Sequence, residues 1–236
     1  MTSKAKNQAA FSMLELLFAF VILGILGTFI RSSMPSPLKA VSSHLANNIR
    51  YARNLALTQN TIYSNKESAS WLKGHAERNK TIDLDVLLSE RPYIQMQFHL
   101  SGLYTESSFS IYLDTPRAEA KTTKYDGRPL AGDVIALSGL NLNCISGYNN
   151  NITETFCKNN SDTTQRLLEK YKVNFQISHQ KSCKEAKTAR IYFDQDGKAL
   201  CGKKRVALSE DFVITLRYKD EISKICIHPN GQITSC

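Results

Sequence analysis

The chain has no cysteine before Cys144, one tryptophan (Trp71), and no histidine pair at helical spacing. It also has no G-x-S-x-G, no H-E-x-x-H and no phosphate-cradling G-x-x-x-x-G-K. These gaps remove the common signatures of serine hydrolases, zinc peptidases and P-loop enzymes, and no enzymatic role is expected. His44, His75, His99, His179 and His228 are scattered and are read as surface or packed side chains. No C-x-x-C occurs and the cysteine spacings are wide, which disfavours zinc; no metal and no cofactor are expected. Asp194-Gln195-Asp196-Gly197 is a weak echo of a calcium loop, but the later acidic ligands are missing, so a β-turn is the expected reading.

One long apolar run is present. Lys4 and Lys6 lead into Ala10-Phe11-Ser12-Met13-Leu14-Glu15, and apolar residues continue to Ile30. Phe11 to Ile30 matches the roughly 20 residues a helix needs to cross a bilayer. A secretory signal would have a shorter apolar core ending at a small-residue cleavage site, but here the small residue, Ala10, comes first. Glu15 is the lone carboxylate of the run, and an acid in a membrane helix is costly enough to mark function. Lys4 and Lys6 hold the N terminus in the cytoplasm and send the remainder across the membrane.

These N-terminal residues resemble the type IV pilin and pseudopilin superfamily, with Ala10 where the family usually has Gly. The resemblance implies cleavage between Ala10 and Phe11 by a prepilin peptidase, N-methylation of Phe11, and Glu15 at the fifth mature position. Cleavage exposes an α-amine on Phe11 with a pKa of about 7.7–8.0. Glu15 of an entering subunit can then pair with the Phe11 amine of its neighbour and set axial register in a filament.

Further along, Pro35 and Pro37 predict a break between Arg31 and Leu38, with Ser36 capping a new helix and Pro37 at its first position. Leu38, Val41, Leu45, Ile49, Ala52 and Ala56 then form one apolar stripe, predicting an amphipathic helix to about Asn60 that packs on a sheet. The run from Asn48 to Asn60, with Arg50-Tyr51-Ala52-Arg53, is similar to the GspH/FimT-type minor pseudopilins. Ala189 to Gly197 and Ile225 to Ile233 are similar to that branch's strand-and-turn and closing hairpin.

The rest reads as β. Tyr93 to Leu100 sets Tyr93, Gln95, Gln97 and His99 against Ile94, Met96, Phe98 and Leu100, the pattern of a half-buried strand. Other strand candidates are 109–114, 133–137, 171–178, 190–193, 212–218, 222–227 and 232–234, with hairpin turns at Asp196-Gly197 and Asn230-Gly231. The expected fold is α+β, a long N-terminal helix on an antiparallel sheet domain with disulfides. Its divisions are a leader (1–10), a transmembrane half-helix (11–34), an amphipathic half-helix (35–60) and a β-rich periplasmic domain (61–236).

An even cysteine count in an exported domain reads as disulfides, with about 15 pairings open. Short loops favour Cys144–Cys157, Cys183–Cys201 and Cys226–Cys236. Glu77-Arg78-Asn79-Lys80-Thr81 makes Asn79 a candidate glycosylation site.

The formal net charge is +9. Eight cations from Lys181 to Arg205 face only Glu185, Asp194 and Asp196. This is either a solvated basic surface, one that meets an acidic neighbouring subunit, or a contact for double-stranded DNA, with Lys203, Lys204 and Arg205 as first candidates. The expected function is a minor pilin or pseudopilin of a type II secretion or type IV pilus filament, anchored once in the bacterial inner membrane. Its expected partners are other pilins and the prepilin peptidase. The alternatives are a DNA-binding minor pilin of an uptake system and a membrane-anchored binding module or adhesin.

Overall fold

The structure, a computed structural model, describes residues 13–32, 36–64, 82–83, 85–86, 93–100, 106–118, 125–148, 155–160 and 163–236. Residues 1–36 and 37–236 are two compact units. Ala10, Phe11, Trp71 and Asn79 lie outside the described residues.

The first unit contributes helix α1, Met13–Ser32, with Glu15 in its first turn. Leu16, Leu17, Phe18, Phe20, Val21, Ile22, Leu23 and Ile25 all expose half or more of their surface. Among the described residues no helix is long and apolar enough to cross a membrane. The span expected from the sequence starts at Phe11, ahead of the first described position.

In the second unit, helix α2 runs Pro37–Ser64, one turn beyond the expected end near Asn60. Its stripe of Leu38, Val41, Leu45, Ile49, Ala52 and Ala56 is buried, each residue no more than 6% exposed. Two antiparallel sheets receive it. The larger has six strands in the order β3-β2-β1-β5-β6-β7: β1 Ile94–His99, β2 Ser108–Leu113, β3 Val134–Ile135, β5 Thr188–Phe193, β6 Ala199–Cys201 and β7 Val206–Ala207. The smaller has the order β10-β9-β8-β4: β4 Asn174–Ser178, β8 Phe212–Tyr218, β9 Glu221–Ile227 and β10 Ile233–Ser235. Two five-residue helices, α3 (Thr155–Asn159) and α4 (Leu167–Tyr171), were not expected; five residues are too few to show a helical period.

The core lies between α2 and the two sheets. Phe98 of β1 packs edge-on to Phe175 of β4, ring centroids 5.8 Å apart, and tilts against Phe212 of β8 at 5.9 Å. Arg53 of α2 fastens the helix to the hairpin turns, its Nε donating to the Gly197 carbonyl at 3.1 Å. Gly197 and Gly231 have φ of +77° and +79°, and a Cβ on Gly231 would fall 1.8 Å from the Gly197 oxygen. Those two turns therefore cross at a spacing only glycine permits.

The half-buried reading of β1 needs correction. Gln95, Gln97 and His99 are each at most 2% exposed. Their neighbours on the same face, Ser108, Ser110 and Tyr112 of β2 and Arg190 and Tyr192 of β5, are buried too. Loop groups cover this second face of the sheet: the Gly127 carbonyl accepts from Gln97 and Arg190, and the Tyr148 ring lies 5.6 Å from His99, while the 144–147 segment extends the sheet beside β2 through Ile111 N–H to Ile145 O at 2.9 Å. A strand covered on both faces carries polar residues only where partners satisfy them.

Candidate functional site

Register places the polar residues of the covered face side by side. Gln97 pairs with Ser110 on β2 and with Arg190 on β5. Tyr112 Oη donates to Gln97 Oε1 at 3.1 Å, and Gln97 Nε2 donates to the Gly127 carbonyl at 2.8 Å. Arg190 Nη2 donates to the same carbonyl at 2.9 Å, and its Nη1 lies 3.0 Å from Glu185 Oε2. Thr188 Oγ1 donates to Glu185 Oε2 at 2.6 Å. This ion pair is buried, 5% and 6% exposed, yet Arg190 Nε and Glu185 Oε1 have no hydrogen-bond partner among the described residues. Burial, with Arg190 nearby, lowers the His99 imidazole to a pKa of about 4, so the ring is neutral at physiological pH.

An acidic cluster borders this layer. Asp114, Asp126 and Asp133 bring carboxylate oxygens within 4.8 Å of one another, a donor set that could hold a metal. Arg117 already lies among them, with Nε 2.9 Å from Asp126 Oδ2 and Nη2 3.0 Å from Asp133 Oδ2. Thr115 donates to Asp133 Oδ1 through both its N–H and its hydroxyl, at 2.9 Å each. The cluster thus has its cation built in. Burial and the nearby Asp126 push Asp114 up to a pKa of about 7, and burial also raises Asp133 against the pull of Arg117.

The three basic residues singled out from sequence sit together in the tight β6–β7 turn, closed by Arg205 N–H donating to Gly202 O at 3.0 Å. Arg205 lies over the Tyr93 ring, 4.5 Å from its centroid. Lys203 and Lys204 are exposed and edge a cleft of about 790 Å³. Arg128, Lys184, Tyr148, His99 and Arg190 also line it. Lys203 borders a second, smaller cavity of about 80 Å³ as well, with Tyr93, Tyr125 and Tyr192.

Disulfides join Cys144 to Cys157, Cys183 to Cys201, and Cys226 to Cys236. The middle one ties the 3-10 turn Lys181–Cys183, next to Lys184, to the end of β6, next to Gly202 and Lys203. Asp194 Oδ1 accepts the N–H of Asp196 at 2.9 Å and of Lys198 at 2.8 Å, which makes that segment a side-chain-capped turn. His228, a half-buried side chain, bridges Asp211 (2.8 Å from Nδ1) and Thr234 (2.9 Å from Nε2), bracing the closing hairpin. The sequence placed Arg190 and Glu185 in the basic span and Gln97 on the polar half of β1, but not their burial and pairing with one another, and it gave no sign of the aspartate cluster.

Residues 5–30 match the family described as the prokaryotic N-terminal methylation motif. That motif is the type IV pilin signature, and it makes the chain pilin-like at its N terminus. It implies filament partners of pilin type and processing by a prepilin peptidase. Comparison with curated proteins and with solved structures returned no match.

Proposed function

We propose that this protein is a non-enzymatic minor pilin or pseudopilin, anchored in the inner membrane by the segment from Phe11 through α1 and assembled into a type II secretion or type IV pilus filament. The matched methylation motif carries this reading. The exposed apolar side chains of α1 support it, because a surface of that kind calls for lipid or neighbouring helices. Low copy number and assembly priming follow from the resemblance to GspH/FimT-type subunits. Mass spectrometry of the N terminus tests it. A mature chain beginning at N-methylated Phe11 is expected; an intact leader favours a free-standing anchored adhesin or binding module instead.

A second reading, duplex DNA contact in an uptake system, is favoured by one observation: Lys203, Lys204 and Arg205 share a single turn. Each phosphate contact steepens the salt dependence of duplex binding by about 0.9 in log–log slope. The Lys203/Lys204/Arg205→Ala variant is expected to flatten that slope by about 2, allowing for Arg205 being engaged with Tyr93. An unchanged slope and affinity rule out this turn as the contact.

A further inference from the structure

We infer that the cleft beside β5 and the β6–β7 turn binds a single-stranded phosphodiester chain. This deepens the nucleic-acid reading above and rests on it.

Arg190 lines the cleft with a side chain 5% exposed, and its Nε has no partner among the described residues. Glu185 Oε1 of the same buried pair is also without a partner among the described residues, and both atoms are closed to solvent, so the pair lends the cleft a fixed polar floor rather than an open donor. Arg128, Lys184, Lys203 and Lys204 line the same cleft; all four are exposed, and none has an ion-pair partner among the described residues. Two acids also line it, Asp126 and Glu185, and both are held, by Arg117 and by Arg190. The field inside is therefore that of the lysines and Arg128.

The space is a cleft of about 790 Å³ rather than a flat basic face. A duplex is too broad to enter and meets only rim residues, whereas a single strand can lay its phosphates along Arg128, Lys184, Lys203 and Lys204. The walls carry aromatic side chains. Tyr148 is half-buried, its ring 5.6 Å from His99, and Lys203 connects this cleft to the cavity lined by Tyr93, Tyr125 and Tyr192. Cations along a groove with aromatic walls are the combination that holds single strands, with phosphates on the cations and bases on the rings. Two glycines let the backbone close on its neighbours at the groove wall. Gly127 and Gly202 line it with φ of +68° and +69°, and a Cβ on Gly127 would sit 2.6 Å from Arg190 Nη2.

The test uses the full chain in detergent and a labelled oligothymidylate of about twelve bases, with the matching duplex as comparison. Tighter binding of the single strand at equal salt is expected. Arg128→Ala/Lys184→Ala, which leaves the β6–β7 turn intact, is expected to reduce the single-strand salt slope by about 1.4, two contacts at about 0.7 each, and to leave the duplex slope unchanged. Tyr148→Leu is expected to weaken the single strand by about fivefold or more, the lower end of base–aromatic stacking.

Equal or tighter duplex binding overturns the inference. So does an unchanged single-strand slope in Arg128→Ala/Lys184→Ala, or displacement of the strand by polyglutamate of matching charge as readily as by unlabelled strand. If Lys203/Lys204/Arg205→Ala removes duplex binding while Arg128→Ala/Lys184→Ala leaves the single strand untouched, the turn stands and the cleft assignment falls. If neither nucleic acid binds, both fall.

Discussion

Glu15→Ala is expected to leave the protein in the membrane and out of the filament. A carboxylate near one end of an apolar helix costs a few kcal/mol in a bilayer, less as it nears the headgroups. Alanine removes that cost, so the variant should sit in the membrane at least as well as the parent. On the filament reading proposed above, what it loses is the partner for the α-amine exposed on Phe11 of the adjoining subunit. Two opposite charges in a poor dielectric attract strongly, and removing one leaves the other unpaired. Sheared filaments from cells carrying the variant should therefore lack it, while the membrane fraction retains the cleaved chain. Glu15→Gln should behave the same way, since it keeps the shape and removes the charge. Normal incorporation of either variant would remove the basis for the filament role.

The second large effect concerns Asp114. Its Oδ2 accepts the Gly127 N–H at 2.8 Å and Gln95 Nε2 at 3.4 Å, while Oδ1 has no partner among the described residues. Its folded pKa of about 7 lies above the ordinary 3.8, so between those values the folded chain binds a proton that the unfolded chain does not. Stability from this group is complete below about pH 4 and is lost as pH rises to about 7. The shift corresponds to about 4 kcal/mol across that window. Asp114→Asn cannot titrate. Denaturant unfolding of the two proteins from pH 4 to pH 8 should show the variant gaining on the parent by up to that amount as pH rises. A constant difference across the range would mean that Asp114 is ionised throughout.

Much of the fold was legible in the sequence because it depends on local period. The stripe from Leu38 to Ala56 predicted the buried face of α2 residue by residue, and Pro37 marked its start. Ile94 to His99 was visible as a strand from its alternation, and Asp196-Gly197 and Asn230-Gly231 as the turns that join β5 to β6 and β9 to β10. The use of the polar half of β1 was not legible. Gln95, Gln97 and His99 look solvent-facing in sequence, and only the covering loops, distant in the chain, turn that face inward. The same holds for the basic residues. Lys203, Lys204 and Arg205 stood out as a run, with Lys184 and Arg190 in the same basic span, whereas Arg128 gains its relation to that run only through the fold. Five-residue helices such as Leu167–Tyr171 left no periodic trace.

The bond between Cys183 and Cys201 has a consequence for timing. It pins one lysine-bearing corner of the groove to the other, and such a crosslink forms only where thiols are oxidised. If the domain is exported as proposed above, a newly made chain still on the reducing side lacks that fastening. On that reading its affinity for single strands should stay low until the bond forms, so that strand capture is switched on by oxidation.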